Sequence, residues 1–316
     1  MSATSLRGFT QRRSGANRWF GRKETAREES AIDNARQDLT SYHIKPEVLE
    51  TEQAVGRAMF QELERAASAK SGDLVIVLLG GRGGQALHRL IGEMARTDAL
   101  DPILSRLRVF TQDALAPLPT DSKFSFVRDF ERLLGEDFFR KIKSFTPMPS
   151  GSDETLEAGL GGYLDELESL GGIDLFFMGL GPEPGAASHL AYIKPGSGAT
   201  ARDLAGVIGI SSSILDHHIA KFKAGGAEVT ARDEAECRAA TRILTLGPGA
   251  ILGSRRIVQS VVDASTAPAK RPSYRRVLDT VLSEDPVERA GQLDENPGLW
   301  LRLHPNVRSL ILPDVL

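Results

Sequence analysis

Apolar positions along this chain switch between two periods. Ala54, Val55, Ala58, Met59, Leu63 and Ala66 recur at the spacing of one helical face and predict a helix over 47–69. Ser71-Gly72-Asp73 breaks that stripe, and Leu74-Val75-Ile76-Val77-Leu78-Leu79 follows as an unbroken apolar run. So short a run between turn residues reads as a strand covered on both faces, as in a parallel sheet. Ala86, Leu87, Leu90, Ile91, Met94 and Ala95 then line another helical face.

The alternation continues to the C-terminus. Residues 107–111 read as a strand, 126–139 as largely helical, and 142–146 as a short strand stopped by Pro147 and Pro149. Leu156, Leu160, Leu164 and Leu167 mark a helix behind Ser152-Asp153, residue types that cap helix starts. Runs at 173–178, 205–210, 243–246, 257–262 and 307–312 complete the expected strands. Strands alternating with helices predict an α/β fold whose mostly parallel sheet carries helices on both faces. No composition break marks a linker after residue 50, so 47–316 is expected to be one domain behind an N-terminal extension over 1–46.

Composition narrows the classes. With 39 Lys and Arg against 42 Asp and Glu, the formal net charge of −3 excludes a strongly basic nucleic-acid-coating protein. A single cysteine, Cys237, excludes a disulfide framework and a thiolate zinc site, and suits a reduced, cytoplasmic compartment. The aliphatic run at 74–79 is far too short to span a bilayer, so no membrane partner is expected. The N-terminus lacks the apolar core of a secretory signal. It does hold Arg7, Arg12, Arg13, Arg18, Arg22 and Lys23 with no acidic residue before position 24. That pattern fits an organelle-targeting peptide or, the preferred reading, a solvated tail.

In an open α/β sheet, ligands bind beyond the carboxyl ends of the strands. Those positions hold Gly80-Gly81-Arg82-Gly83-Gly84, Gln112-Asp113, Gly179-Leu180-Gly181 and Gly247-Pro248-Gly249. The first loop lies between a strand and a helix, where glycines admit an anion to backbone N–H groups and to the positive end of the helix dipole. Arg82 adds a cation suited to a bidentate phosphate contact. No Lys-Ser or Lys-Thr follows, which excludes a triphosphate loop. Phosphate binding is the favoured reading; a dinucleotide turn and a bare strand-to-helix turn stay open. Asp113 lies further along than the roughly 20 residues expected of a ribose-binding carboxylate. Asp216-His217-His218 has metal-ligand residue types, but adjacent helical positions diverge too far to share one ion, so no metal is expected. His304 reads as structural and Cys237 as an inert buried thiol.

These residues resemble a known family. Gly80-Gly81 with the helix after it, Phe110-Thr111-Gln112-Asp113 followed by Leu118-Pro119 and Ser125-Phe126, and Gly179-Leu180-Gly181 followed by His189-Leu190-Ala191-Tyr192 and Pro195-Gly196-Ser197 are similar to segments of the glucosamine-6-phosphate deaminase and 6-phosphogluconolactonase family. So are 244–252 and Leu301-Arg302-Leu303-His304-Pro305-Asn306-Val307, the latter in the form typical of the deaminases. The resemblance runs from about residue 47 to the C-terminus. It implies a three-layer, Rossmann-like sheet. Four departures stand out. Ala114 follows Asp113 where the family has Glu, extra residues precede His189, Lys194 replaces a Glu, and Arg82 replaces a Thr.

The resemblance implies a sugar-phosphate isomerase or deaminase acting on a hexose or amino-hexose phosphate. Asp113 would be the proton-abstracting base and His189 the ring-opening residue. Gly80, Gly81, Arg82, Gly83 and Lys270 would hold the phosphate, although Lys270 with Arg271, Arg275 and Arg276 also reads as a solvated helix face. Glu183, Lys194 and Arg202 are further candidates. The alternatives are a 6-phosphogluconolactonase-like hydrolase, which needs one histidine to activate water, and a sugar-phosphate-binding homologue that has lost catalysis. None of these requires a cofactor, and self-association stays open.

Overall fold

The computed structural model describes residues 8–23 and 40–316. Its strands are β1 (Phe9–Ser14), β2 (Asn17–Arg22), β3 (Pro46–Val48), β4 (Leu74–Leu78), β5 (Leu107–Thr111), β6 (Asp113–Ala116), β7 (Ser144–Thr146), β8 (Leu175–Pro182), β9 (Ser188–Leu190), β10 (Ala205–Gly209), β11 (Arg242–Leu246), β12 (Ile257–Val261) and β13 (Val307–Ile311). The longer helices are α1 (Glu52–Ala69), α2 (Arg82–Ala95), α3 (Phe126–Lys141), α4 (Asp153–Ser169), α5 (Ser212–Ala224), α6 (Ala231–Arg238), α7 (Lys270–Asp279) and α8 (Pro286–Glu295).

Local chemistry sets many of these boundaries. Thr51 caps α1 by accepting from the Ala54 N–H at 3.1 Å, so the helix begins later than the expected residue 47, and 46–48 pairs with β13 instead. Ser125 and Ser211 cap α3 and α5 in the same way, and Thr230 with Asp233 forms a capping box for α6. Ser152 occupies the cap of α4 without a side-chain cap bond. The α4 stripe of Leu156, Leu160, Leu164 and Leu167 is buried as its spacing predicts.

The main sheet has the order β3-β13-β12-β8-β4-β5-β7, and each of these pairings is parallel. Every residue of β4 is buried, as expected of a central parallel strand. From β4 the chain builds outward through β5 and β7, then returns to add β8 on the other side of β4. The β4–β8 boundary is therefore the point where strand order reverses, and the loops after these two strands flank the crevice where such sheets bind ligands.

A second sheet corrects the expectation of a single sheet. β10 and β11 were expected among the parallel strands, but they belong to an antiparallel sheet of order β1-β2-β10-β11-β6. Part of that sheet comes from the N-terminal extension. Residues 9–22 form a hairpin rather than a solvated tail; Arg7 and residues 24–39 lie outside the described residues. Trp19 and Phe20 are fully buried, and the Trp19 indole N–H donates to the Ser197 carbonyl at 3.0 Å. Arg12 pairs with Asp203, Arg18 with Glu157 and Arg22 with Glu168. Burial of each large apolar side chain is worth ~1.5–3 kcal/mol, and an exposed ion pair ~0–1 kcal/mol. The aromatic pair therefore holds the hairpin, and the arginines orient it.

Candidate functional site

At the carboxyl ends of β4 and β8 lies a cleft of about 670 Å³, open solvent at its mouth included. Its floor is the glycine loop. Gly81 caps α2 with φ at 73°, a left-handed conformation that strains any other L-residue. The loop thus turns sharply into α2, whose first-turn N–H groups point out of the helix. Gly80, Gly81, Arg82 and Gly83 all line the cleft.

Asp113 also lines it. β6 begins at this residue, two positions after β5 ends in the main sheet, so Asp113 sits where the chain passes from one sheet to the other. Its side chain is buried, Oδ2 accepts from the Gln112 amide, and Oδ1 is without a hydrogen-bond partner among the described residues. Burial pushes this carboxyl up from 3.8 to about 7, against the smaller lowering effect of Gln112. A capping or turn role does not describe it.

His189 lies on β9, paired antiparallel to the end of β8. Its Nε2 faces Gly181 so closely that a Cβ there would approach within 2.0 Å, which is why β8 needs glycine at this point. The Tyr192 N–H donates to His189 Nδ1 at 3.0 Å, and the Tyr192 ring stacks on the imidazole at 4.2 Å between centroids. Closing this bond takes Ala191 and Tyr192 into positive φ, at 49° and 55°. Such conformations cost of order 1–3 kcal/mol each and persist where surrounding structure enforces them. Here Thr245 does so, donating its hydroxyl to the Ala191 carbonyl from the position directly opposite Asp113 on β11. Burial lowers the imidazole to about 3, with His217 and Lys270 adding to the effect, so the ring is neutral.

Lys270 is buried at the start of α7, not on a solvated face. Its ammonium donates to the Val262 carbonyl at 2.9 Å and pairs with Asp263. Arg82 reaches the cleft wall, but its guanidinium forms a bidentate pair with Glu52 at 2.8–3.1 Å.

The three further candidates fall outside the cleft lining. Lys194 donates to the Gly209 carbonyl at 2.6 Å. Glu183 lies in the 183–187 turn, where burial raises its carboxyl to about 7 and Lys194 opposes the rise. Arg202 belongs to the turn before β10, with its carbonyl against Gly21. The inserted residues before His189 are taken up by that turn, closed by the Glu183 N–H donating to the Ala187 carbonyl at 3.0 Å.

Several polar cleft residues escaped the strand-end reading, among them His217, Lys221, Tyr192 and Asp263. His217 and Lys221 are separated by one helical turn on α5 and so share a face, a spacing visible in the sequence. Asp263 stands just past β12, where the strand-end rule selects it once applied to that strand too. His218 also borders the cleft, but its Nε2 is engaged with the Phe124 carbonyl at 2.8 Å. His304 is structural, with Nε2 on the Ser254 carbonyl and Nδ1 accepting from Asn306 N–H. Cys237 is buried, its thiol raised to about 11 by burial.

Comparison with known proteins bears on the fold rather than on the site residues. No family model matches the chain. Curated relatives include the glucosamine-6-phosphate deaminase of Staphylococcus epidermidis, 21% identical over 256 residues that cover 81% of this chain and 90% of the relative. The enzyme of that name from Phocaeicola vulgatus is 32% identical over 96 residues, covering 29% of this chain and 34% of its own length. Among solved structures, a monomeric glucosamine-6-phosphate deaminase superposes with a TM-score of 0.66 at 20% identity, covering 86% of this chain and 98% of its own. The 6-phosphogluconolactonase of Trypanosoma cruzi gives 0.61 at 16% identity, covering 87% and 97%. The resemblance carried by the sequence segments is thus supported by whole-chain similarity and by fold. Among the described residues, no helix is long and apolar enough to cross a membrane.

Proposed function

On the premise that this chain has the fold of the glucosamine-6-phosphate deaminase and 6-phosphogluconolactonase family, we propose that it is an acid–base enzyme acting on a hexose or amino-hexose phosphate. Asp113 takes the proton from the sugar carbon beside the carbonyl, and His189 serves the ring oxygen. The phosphate lies against the Gly80–Gly83 loop, Lys270 and Lys221. No step calls on a metal or organic cofactor, and the single cysteine suits a cytoplasmic site of action.

The observation that carries the reading is the Asp113 carboxyl, buried at the cleft with one oxygen unpartnered among the described residues and raised to about 7. A base poised near neutrality has the driving force to abstract a carbon-bound proton and the means to return it.

The orientation of His189 favours isomerase or deaminase chemistry over lactone hydrolysis. Because Nδ1 accepts from the Tyr192 N–H, the neutral ring carries its proton on Nε2. Nε2, beside the cleft-lining Gly181, is then a hydrogen-bond donor. A donor suits a sugar ring oxygen or carbonyl. Activating a water for lactone hydrolysis needs the opposite, a free lone pair on Nε2.

The test has three arms. Ammonia release from glucosamine 6-phosphate reads deaminase activity, deuterium exchange at C1 of fructose 6-phosphate reads proton abstraction alone, and acidification with 6-phosphogluconolactone reads hydrolysis. The proposal expects exchange or ammonia release that Asp113→Asn abolishes while phosphate binding persists. Lactone hydrolysis without exchange, or exchange surviving in Asp113→Asn, refutes it.

A further inference from the structure

Each strong cation at the phosphate end of the cleft already has a carboxylate partner. Asp263 stands just beyond β12 with φ at 57°, the left-handed region, so the backbone is bent to bring this side chain inward. One carboxylate oxygen pairs with Lys221 from α5, and the other with Lys270 from α7. Thr266 steadies the arrangement, its hydroxyl accepting from Lys221 at 2.6 Å. Arg82 and His217 feel the same carboxylate electrostatically, so it stands amid groups from three different helices. Asp263 is nearly fully buried, and Asp263, Lys221, Lys270, Arg82 and His217 all line the one cleft.

A carboxylate held by two ammonium groups is what a phosphate monoester would offer the same lysines: two oxygens, negative charge and hydrogen-bond acceptors. We propose that Asp263 is an internal counter-anion, occupying the lysine contacts that the substrate phosphate takes over on binding. This inference rests on the phosphate site placed here under the proposed function. Its consequence concerns specificity. Without Asp263 the lysines would present two uncompensated charges to any small anion; with it, an incoming group has to out-compete a buried carboxylate. A dianion that also reaches the N–H groups of the Gly80–Gly83 loop does so, whereas a monoanion such as chloride or acetate does not. Asp263 thus lowers absolute phosphate affinity and raises discrimination for a sugar-borne dianion.

The alternative is that Asp263 is an ordinary structural ion pair that phosphate leaves in place. The two differ in the sign of the effect of neutralising the carboxylate. A structural partner that positions the lysines loses phosphate affinity when replaced, whereas a competitor gains it.

The experiment is titration of the full chain, its Asp263→Asn variant and its Lys270→Gln variant with inorganic phosphate, with glucose 6-phosphate and with acetate, followed by calorimetry. We expect Asp263→Asn to bind inorganic phosphate at least tenfold more tightly than the parent and to gain measurable acetate binding, and Lys270→Gln to lose phosphate. Parent binding that Lys270→Gln abolishes, with Asp263→Asn equal or weaker, overturns the counter-anion while leaving the phosphate site intact. Absence of phosphate binding in the parent and in Asp263→Asn overturns both. Should Asp263→Asn prove unstable because two lysines lose their partner, its thermal transition is followed against phosphate concentration. A larger increment than the parent's supports the proposal, since binding to the native state raises the transition in proportion to occupancy. Equal or smaller increments overturn it.

Discussion

Replacing Asp113 by Asn should make the protein more stable, and increasingly so as pH rises. The carboxyl is buried, and in the folded chain it is raised from 3.8 to about 7. Below pH 3.8 both the folded and the unfolded chain hold the proton, and nothing is lost. Between 3.8 and about 7 the unfolded chain releases the proton while the folded chain keeps it, so stability falls as pH rises. Above about 7 the loss is complete. With each pKa unit equivalent to ~1.36 kcal/mol, the loss amounts to roughly 4 kcal/mol at pH 8 and roughly 2 kcal/mol at pH 5. An amide is neutral throughout, matches the protonated acid in shape, and still accepts from Gln112 through its oxygen. The variant should therefore gain roughly 2–3 kcal/mol relative to the parent between pH 5 and pH 8. Urea unfolding of both proteins at several pH values gives this difference directly, and subtraction removes the contribution of other titrating groups. Parallel pH profiles for the two proteins would refute the premise that Asp113 is held near neutrality by burial. A gain in stability coupled to loss of turnover is what a buried catalytic base predicts, because the environment that tunes it also strains the fold.

Other outcomes follow from the same geometry. Gly181→Ala drives a methyl group against His189 Nε2, and displacing a catalytic group by about 1 Å costs ~10²-fold in rate; turnover should fall by that order while phosphate affinity holds, as steady-state kinetics and calorimetry would measure. Lys270→Met should weaken glucose 6-phosphate binding by about ten- to a hundredfold, the worth of one charge-assisted contact, and unchanged affinity would remove this lysine from the site. Trp19→Ala should cost ~3–5 kcal/mol in unfolding free energy, because the indole is fully buried under Gly206. Since Trp19 and Asn17 both donate to the Ser197 carbonyl, just past the 191–192 turn that packs on His189, that variant should also lose activity more steeply than phosphate binding.

Several residues of the candidate site are legible in the sequence. The apolar run at 74–79 and the glycines after it announce a buried strand ending in an anion-ready turn, because burial and turn formation leave local marks on residue type. The same holds for Asp113, two residues past the end of β5, and for the leucine stripe of α4. Partner choice leaves no such mark. The runs at 205–210 and 243–246 are as apolar as those of the parallel sheet, yet β10 and β11 form an antiparallel sheet with β2 and β6. An apolar run reports that a strand is covered, not which strand lies beside it or in which direction. The basic N-terminus reads as a solvated tail until Asp203, Glu157 and Glu168 are brought to it by strands and helices far along the chain. Arg82 reads as a free cation until α1 delivers Glu52. Residue type thus determined where strands end and which groups stand at those ends. Which charges are neutralised, which imidazole nitrogen is free and which carboxylate sits between the lysines were decided only by packing, because each depends on contacts between segments whose separation no local pattern records.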